Sequence, residues 1–417
     1  MIFMTGISAD PYWWQAAPPQ DFHIEQWPER ADVVIIGGGY TGFGAAIPLA
    51  RAGLDVVVLE RDQIGSGAST RNGGITSGNL RLSFDDLAKR FGADKATAFY
   101  QEAKAARADL AQFIISEKID CDLQQSGRLV GALRPESLDS MRRDAERLTK
   151  LLDIKTTVYD RASLPDYIDT SRYCGGMLRD DIGGIHPAKL LAGMCQIARQ
   201  ASVKIATQTK VIAVSQQNTS SPTPEFRIET SRGIIRAGHV ISATNAYTDA
   251  GQPWLRRRLV PVISEMIATE ELGENMVRSL MPGLNMYGEA LQLGHYYRPS
   301  PDGKRILLGG RRMSLIRSRR AKGWSRDDVN LSPACRYSNH KITGSVLLPF
   351  HSTSCPNWRF MMGLFTHRAI AVRERFGRAG WVRKQRIWYL LILMKAPFKA
   401  FPFAQCHFIR EIRGFCH

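Results

Sequence analysis

Cysteine is scarce in this sequence, with 7 among 417 residues, and no two of them form a C-x-x-C pair. That spacing argues against both a disulfide framework and a structural zinc site, so no metal is expected. Long apolar runs are also missing. The longest one near either end closes at Met394 and falls far short of the roughly 20 residues that span a bilayer. The first residues, MIFMTGISADPYWWQ, hold neither a basic segment nor a continuous apolar core, so no signal peptide is expected. Acidic residues are lacking in one region only. Residues 311–417 carry 21 Lys and Arg against 4 Asp and Glu, which places the whole net charge of +17 there and leaves 1–310 at zero. Four cysteines fall in the same stretch. Two compositions are joined in one chain, and the overall charge is no guide to the partners of the first 310 residues. With 44% apolar and 23% charged residues the rest is ordinary globular usage, long enough for two to three domains. A cytoplasmic enzyme is the starting expectation.

Residues 1–30 are rich in Pro and Trp without a period and read as an arm laid over the surface. Ala31 to Ile36 (ADVVII) is a β-branched apolar run, the mark of a parallel strand buried on both faces. GGGYTG follows, then a helical stretch to Arg51, a turn at Ala52-Gly53 and a second buried strand, Val56 to Leu59. Pro48 fits badly: a proline inside a helix costs about 3 kcal/mol, which predicts a kink or an early end. Asp94 opens a helix with Phe99, Ala103, Ala106, Leu110, Phe113 and Ile114 on one face. Further on, 127–133 reads as a strand, 135–152 as an amphipathic helix and Ala188 to Ser202 as another helix. Strands are expected at Val203 to Ile205 and Val211 to Val214, with Phe226 to Thr230, Gly233 to Arg236 and His239 to Ala243 joined by tight turns. Leu259 to Thr269 and Gly294 to Gly309 alternate like antiparallel strands. Helices mixed with both strand styles mean α/β plus α+β.

Gly37-x-Gly39-x-x-Gly42 would be weak evidence alone. Here it follows a buried strand, opens a helix, and Glu60 ends the next strand 18 positions past Gly42. Gly37 permits the tight turn, Gly39 lets backbone approach a pyrophosphate, and Gly42 allows close helix–strand packing. The helix N–H groups meet the phosphate charge, and Glu60 suits a ribose hydroxyl. A second loop, GSGASTRNGG (65–74), comes where a plain NAD domain would run into an element. Its Gly65, Gly67, Gly73 and Gly74 suit close approach to a larger part of the cofactor.

These segments resemble the FAD-dependent amine oxidases of the D-amino-acid-oxidase superfamily, in its gamma-glutamylputrescine-oxidising branch. The resemblance rests on PYWWQAAP, VVIIGGGYTGFGAA, VVVLERDQIGSGASTRNGG, GGIHPAKL (183–190), ISATNAYT (241–248) and HYYRPSPDGKRILLGGR (295–311), in that order, and covers about residues 11–311. It implies a glutathione-reductase-like FAD-binding Rossmann domain (31–82 and 186–250) with a second, antiparallel-sheet substrate domain (83–185 and 251–311). It also implies FAD held by Gly37, Gly39, Tyr40, Thr41, Gly42, Glu60 and Arg61. The loop residues Ala68, Ser69, Arg71, Asn72, Gly73 and Gly74 would wrap the pyrophosphate and reach the ring. Val211 would contact the adenine side, and Ala243, Thr244 and Asn245 would pass close to the cofactor. Some relatives tether the flavin to a histidine in this loop. Arg71 stands in that stretch, so non-covalent FAD is expected. The implied reaction takes an amine or amino acid to an imine, with oxygen as second substrate and hydrogen peroxide as product.

The substrate side is less legible. Tyr296, Tyr297 and Arg298 are the candidates, and alternation lets at most one of the two tyrosines face the flavin. Their residue types alone favour a Tyr in a sheet core and an Arg on a solvated rim. His186, before Pro187, reads as structural, and Cys121, Cys174 and Cys195 as small buried hydrophobes. Past Arg311 the pattern fades, and only ITGSVLLPF (342–350) and KAPFKAFPF (395–403) resemble expected pieces. A shifted reading frame accounts for this basic segment, 312–417, better than an added domain. Read out of frame, Ser354 to Lys384 can yield a His-Asp-Gly and a Gly-Tyr-Cys-Gly turn like the missing flavin-contacting piece. An inactive product of such a gene, or a basic nucleic-acid-binding protein, are the rival readings.

Overall fold

The structure is a computed structural model. It describes residues 8 and 10–311, apart from 78–79, 81, 218–224, 260, 262–263 and 292–293, together with the strand Ile342–Leu348. Expectations for the rest of 312–417, the out-of-frame piece and KAPFKAFPF included, lie outside the described residues.

Two sheets carry the fold. The six-stranded sheet holds β1 (Arg30–Ile36), β2 (Val56–Leu59), β8 (Lys204–Ala206), β9 (Val211–Gln217), β10 (Glu225–Thr230) and β11 (Gly233–Ser242), in the order β8-β2-β1-β11-β10-β9. Its first four strands run parallel, and β10 and β9 extend it antiparallel. Val33 to Ile36 and Val56 to Leu59 are all buried, as double-sided burial requires. Helices α1 (Tyr40–Arg51) and α5 (Pro187–Gln200) cover one face and share a core with Ile35, Val58 and Phe43. The helix α1 does not end at Pro48 but runs on to Arg51. Ile47 and Leu49 bury their side chains on either side of the proline, and tertiary packing offsets one lost backbone bond. Gly233 to Ser242 is one strand and not two, because the whole stretch is paired by β10 or β1 and leaves no free residues for a turn.

The eight-stranded sheet runs β16-β12-β15-β14-β13-β4-β6-β5. Its members are β4 (Arg128–Ala132), β5 (Thr156–Asp160), β6 (Gly175–Arg179), β12 (Ser264–Thr269), β13 (Met286–Glu289), β14 (Tyr296–Pro299), β15 (Ile306–Arg311) and β16 (Ile342–Leu348). All neighbours are antiparallel except β13 and β4. Gly294 to Gly309 is thus a hairpin, its turn closed by Ser300 N–H on the Arg305 carbonyl and carried by Gly303 at a positive φ of 68°. Of the stretch from Leu259 to Thr269, Ser264–Thr269 is strand, and residues 260 and 262–263 lie outside the described residues. Helices α3 (Ala93–Ser116) and α4 (Pro135–Leu152) match their periodicity, whereas α2 (Phe84–Phe91), capped by Ser83, and the short α6 (Pro253–Arg256) and α7 (Glu274–Leu280) have too few turns for a sequence period to show. A two-stranded ribbon, β3 (Ile75–Thr76) with β7 (Gly183–Gly184), ties the end of the second glycine loop to the approach of α5.

The N-terminal arm is no surface ornament. Trp13 is 3% exposed in a core with Ala188, Met266, Ala268 and Leu307, and its indole N–H donates to the Asn72 carbonyl at 2.8 Å. Trp14 donates to Thr70 Oγ1 at 2.9 Å. Among the described residues no helix is long and apolar enough to cross a membrane, and no His, Cys, Asp and Glu cluster could hold a metal.

Candidate active site

Three parallel strands end side by side and deliver the nucleotide-type residues to one crevice. β1 hands over to Gly37, β2 to Glu60 and β11 to Ala243, and the backbone laces them: Gly37 N–H donates to Leu59 and Ala243 N–H to Ile36, both at 2.8 Å. Gly37 sits at a φ of +109° with Ala243 O against its Cα, so a side chain fits neither the torsion nor the space. A Cβ on Gly42 would run into the Gly37 carbonyl, which is why α1 can leave the strand so tightly. Gly39 caps α1 in an extended conformation and has no side chain of its own to cap it. The first-turn N–H groups therefore have no intrahelical acceptor.

The second glycine loop crosses that helix end. Ser69 Oγ accepts from Tyr40 N–H at 3.2 Å, and a Cβ on Gly39 would lie 2.8 Å from it. Glu60 turns its carboxylate back onto the first loop, accepting from Gly38 N–H at 2.8 Å and Asp62 N–H at 3.1 Å. Each oxygen keeps lone-pair capacity for a further donor. Thr209 N–H donates to the Glu60 carbonyl at 2.8 Å and brings Val211, two residues on, to the same end of the sheet. Arg71 lies 4.5 Å from the Trp14 ring centroid, its Nε is buried without a partner, and burial holds its pKa below the ordinary value. A helix start met by a single serine hydroxyl, a bare glycine face, a carboxylate with spare acceptors and a guanidinium with a buried, unpartnered Nε form a set of polar groups that fits a dinucleotide with a pyrophosphate bridge.

Several predicted contacts take other partners. Tyr40 points its hydroxyl at the Pro187 carbonyl, 2.7 Å away, so only its backbone faces the crevice. Asn72 is spent within its own loop: Nδ2 donates to Ala68 and Ser69 carbonyls, and Oδ1 accepts from Gly74 N–H. Thr41 and Arg61 are exposed, Arg61 in an ion pair with Asp62. Ala68 opens the loop's single 3-10 turn, and Thr244 Oγ1 bonds Thr248 Oγ1 at 2.7 Å beside Asn245, which has a φ of +45°.

Above the loop stands the eight-stranded sheet. Tyr296 lies between Gly73 and Gly309 and shares its face with Arg298, whereas Tyr297 packs behind with Tyr287 and bonds Tyr173 at 2.8 Å. One tyrosine faces the loop and one turns away, as alternation requires. Arg298 is not on a solvated rim. It is 1% exposed, and its guanidinium donates to the carbonyls of Gly74 (3.0 Å), Ile185 (2.9 Å) and Pro299 (3.1 Å) and to Gln124 Oε1 (3.1 Å). Burial brings its pKa down to about 10, so it stays charged near neutrality. Its fork saturates the carbonyls that a loop of glycines exposes. His186 caps α5 by accepting from Lys189 N–H at 3.2 Å, packs edge-on to Trp13, and burial depresses its pKa to about 4. Burial lifts the Cys121 and Cys195 thiols to about 12, which makes them inert. A shallow groove opens where Tyr12, Trp13 and Arg71 meet Met266, Ala268 and Leu307. Sequence reasoning missed the arm's part in it. The signal was the paired tryptophans, far too apolar for a solvated tail.

The family profile described as DAO, FAD dependent oxidoreductase, matches residues 32–341. Over 280 residues the chain is 32% identical to gamma-glutamylputrescine oxidoreductase of Escherichia coli (strain K12), an alignment covering 67% of this chain and 64% of that protein. It is 30% identical over 314 residues to the probable oxidoreductase OrdL of Rhizobium meliloti (strain 1021), covering 75% and 71%. The chain thus spans just under two thirds of the E. coli relative. Among solved structures, L-proline dehydrogenase from P. horikoshii superposes with a TM-score of 0.64 at 19% identity, over 84% of this chain and 86% of that one. Glycine oxidase from Geobacillus kaustophilus gives 0.61 at 20% identity, over 78% and 84%.

Proposed function

Because this chain belongs to the DAO family of FAD-dependent oxidoreductases, we propose that it oxidises the carbon–nitrogen bond of a small amine or amino acid of gamma-glutamylputrescine type, with oxygen as acceptor and hydrogen peroxide as product. FAD, when bound, supplies the hydride acceptor. Everything else is the work of this chain. Gly37, Gly39, Gly42 and Ser69 would hold the pyrophosphate at the start of α1, Glu60 the ribose, and Val211, Ala243, Thr244 and Asn245 the neighbouring backbone edges. Arg71 would meet the negative charge in the loop without a covalent tether. The six-stranded sheet with residues 31–82 and 186–250 forms the cofactor half in this reading, and 83–185 with 251–311 the substrate half. Tyr296 and the apolar groove wall exclude water and favour a neutral amine, since burial disfavours its charged form. One observation carries the reading: Tyr296 of the eight-stranded sheet stands directly on Gly73 of the loop that closes α1. That contact supports a reading in which the substrate meets the cofactor where the two sheets come together.

The test is purification of the full chain, a visible spectrum for stoichiometric flavin, and a peroxide assay over a panel of amines. Flavin release on denaturation, without label left on the chain, checks the non-covalent attachment. A second reading, an inactive product of a frame-shifted gene, is favoured by the confinement of the +17 charge to 311–417. It predicts a chain that loses flavin on purification and regains it when the frame within codons 311–395 is restored.

A further inference from the structure

The N-terminal arm retraces the second glycine loop in the opposite direction. Its Gln20 exchanges backbone hydrogen bonds with Ile64, both at 2.9 Å, just before the loop begins. Pro19 lies against Gly65, its Cα 3.6 Å from where a Cβ would stand. The 3-10 turn Tyr12–Gln15 meets the far end, where Trp14 donates to Thr70 Oγ1 at 2.9 Å and Trp13 to the Asn72 carbonyl at 2.8 Å. Thr70 Oγ1 in turn donates to the Gly65 carbonyl and draws the two ends of the loop together. The arm lies outside the residues that the family profile matches, which begin at 32. A loop with glycine at 65, 67, 73 and 74 has little side chain of its own to fix it, so neighbours must supply its order.

Between the two residues that the tryptophans anchor stands Arg71. Its Cζ lies over the Trp14 ring, 4.5 Å from the centroid. A cation–π contact of this kind holds a guanidinium in place without an anion. Arg298, which also meets this loop, spends its donors on the carbonyls of Gly74, Ile185 and Pro299 and on Gln124. Arg71 is held but not spent. Among the described residues its side chain has no hydrogen bond or ion pair, and its Nε is buried without a partner. Asp10, Asp62 and Tyr247 act on it only through space. A fold that desolvates part of a guanidinium and gives it no anion leaves that group to something bound.

We propose that Trp14 is a positioning residue for the cofactor: it holds the Arg71 cation at the second glycine loop, with Thr70 fixing the indole in turn, so that Arg71 meets an anionic group of bound FAD. The proposal rests on FAD as the cofactor in the reading above and not on the choice of amine. Trp13 is the anchor of the arm, buried in the core with Ala188, Met266, Ala268 and Leu307. Trp14, half-buried beside it, is the working residue. An arm that orders the loop before FAD arrives lowers the ordering cost that binding would otherwise carry.

The experiment titrates FAD into the full chain freed of flavin, for the parent, Trp14→Leu, Trp14→Phe, Arg71→Met and the variant with both Trp14→Leu and Arg71→Met. Trp14→Leu should weaken FAD by about 10-fold, the size of one partly desolvated cation–π contact. Trp14→Phe keeps a ring but not the N–H, and should restore most of that loss. On the Arg71→Met background Trp14→Leu should change FAD affinity by less than about twofold, because the group it positions is gone. The thermal midpoint of the flavin-free chain should move little in either Trp14 variant, since the side chain is only half-buried. A Trp14→Leu protein with the parent's FAD affinity overturns the proposal. So does one that loses the same factor with or without Arg71, which would make Trp14 a plain support of the loop. Absence of FAD binding by the parent overturns it too. If the two substitutions couple but no amine is oxidised, the positioning role stands and the amine reading falls. If amines are oxidised while Trp14→Leu keeps the parent's FAD affinity, the reverse holds.

Discussion

The two sheets meet at the second glycine loop and treat their polar groups in opposite ways. On the six-stranded side almost every contact is backbone to backbone or carboxylate to backbone, with Glu60 gripping Gly38 and Asp62 and Ala243 closing on Ile36. The residues there are small because main chain must approach main chain. On the eight-stranded side the same loop is met by long side chains, Tyr296 and Arg298, and the Nε of Arg128 on the sheet face beyond them has no partner among the described residues. Generic cofactor recognition can be built from backbone, which every chain possesses. Discrimination among substrates needs side chains whose requirements the fold leaves unmet.

Substitutions that exchange the logic of the two sides should have graded effects. Gly42→Val is expected to do most harm, because its Cβ and branches meet the Gly37 carbonyl and no rotamer avoids backbone. Soluble, flavin-bearing protein should be lost, and a yellow, folded Gly42→Val variant would remove the reason given for that glycine. Arg298→Met comes next. It strands the carbonyl of Ile185, while that of Gly74 keeps the Ile185 N–H at 2.7 Å, for a cost of about 1–3 kcal/mol, read as a fall in thermal midpoint and a loop newly open to protease. Retained stability would mean that the carbonyl finds another donor.

A pH effect follows from His186. Its folded pKa of about 4 lies below the ordinary 6.5, so the unfolded chain binds the extra proton between those values. The contribution is fully present above about pH 6.5 and lost as pH falls toward 4, by up to about 3 kcal/mol. Denaturant titrations across that window should show the slope in the parent and a shallower one in His186→Asn, which keeps a capping acceptor. Glu60→Ala should weaken FAD by about 1–3 kcal/mol through loss of a ribose acceptor, measured by titrating apoprotein. The smallest change is expected for Tyr296→Phe. Its hydroxyl has only a 3.5 Å contact with Ser264 Oγ, so flavin content should hold and stability should move by less than about 0.5 kcal/mol. A large loss there would make the hydroxyl, and not the ring, the working part.

Local patterning was enough to read the first strand–helix–strand unit of the six-stranded sheet. The glycine spacing, the buried strands and the acidic residue after β2 are consecutive in the chain, and the constraint between them is short-ranged. Helices α3 and α4 were equally legible from their period. Misreadings arose where the deciding partner is remote in sequence. Pro48 stays helical because α5, nearly 150 residues on, packs against α1. Gly233 to Ser242 is unbroken because β1 pairs it.

By itself, then, the order of residues determined the glycine-rich crevice at the end of β1, since each strand, turn and helix start there is written in adjacent positions and made of main chain. Only the tertiary structure decided what becomes of the long side chains. Trp13 is buried because Asn72 and Met266 come to meet it, and Arg298 is buried because the loop brings its carbonyls. Arg128 has no partner among the described residues, because strand register sets it beside Arg179 while Asp181 is already taken. A burial or a pairing is a property of two places in the chain at once, and no single stretch of sequence contains it.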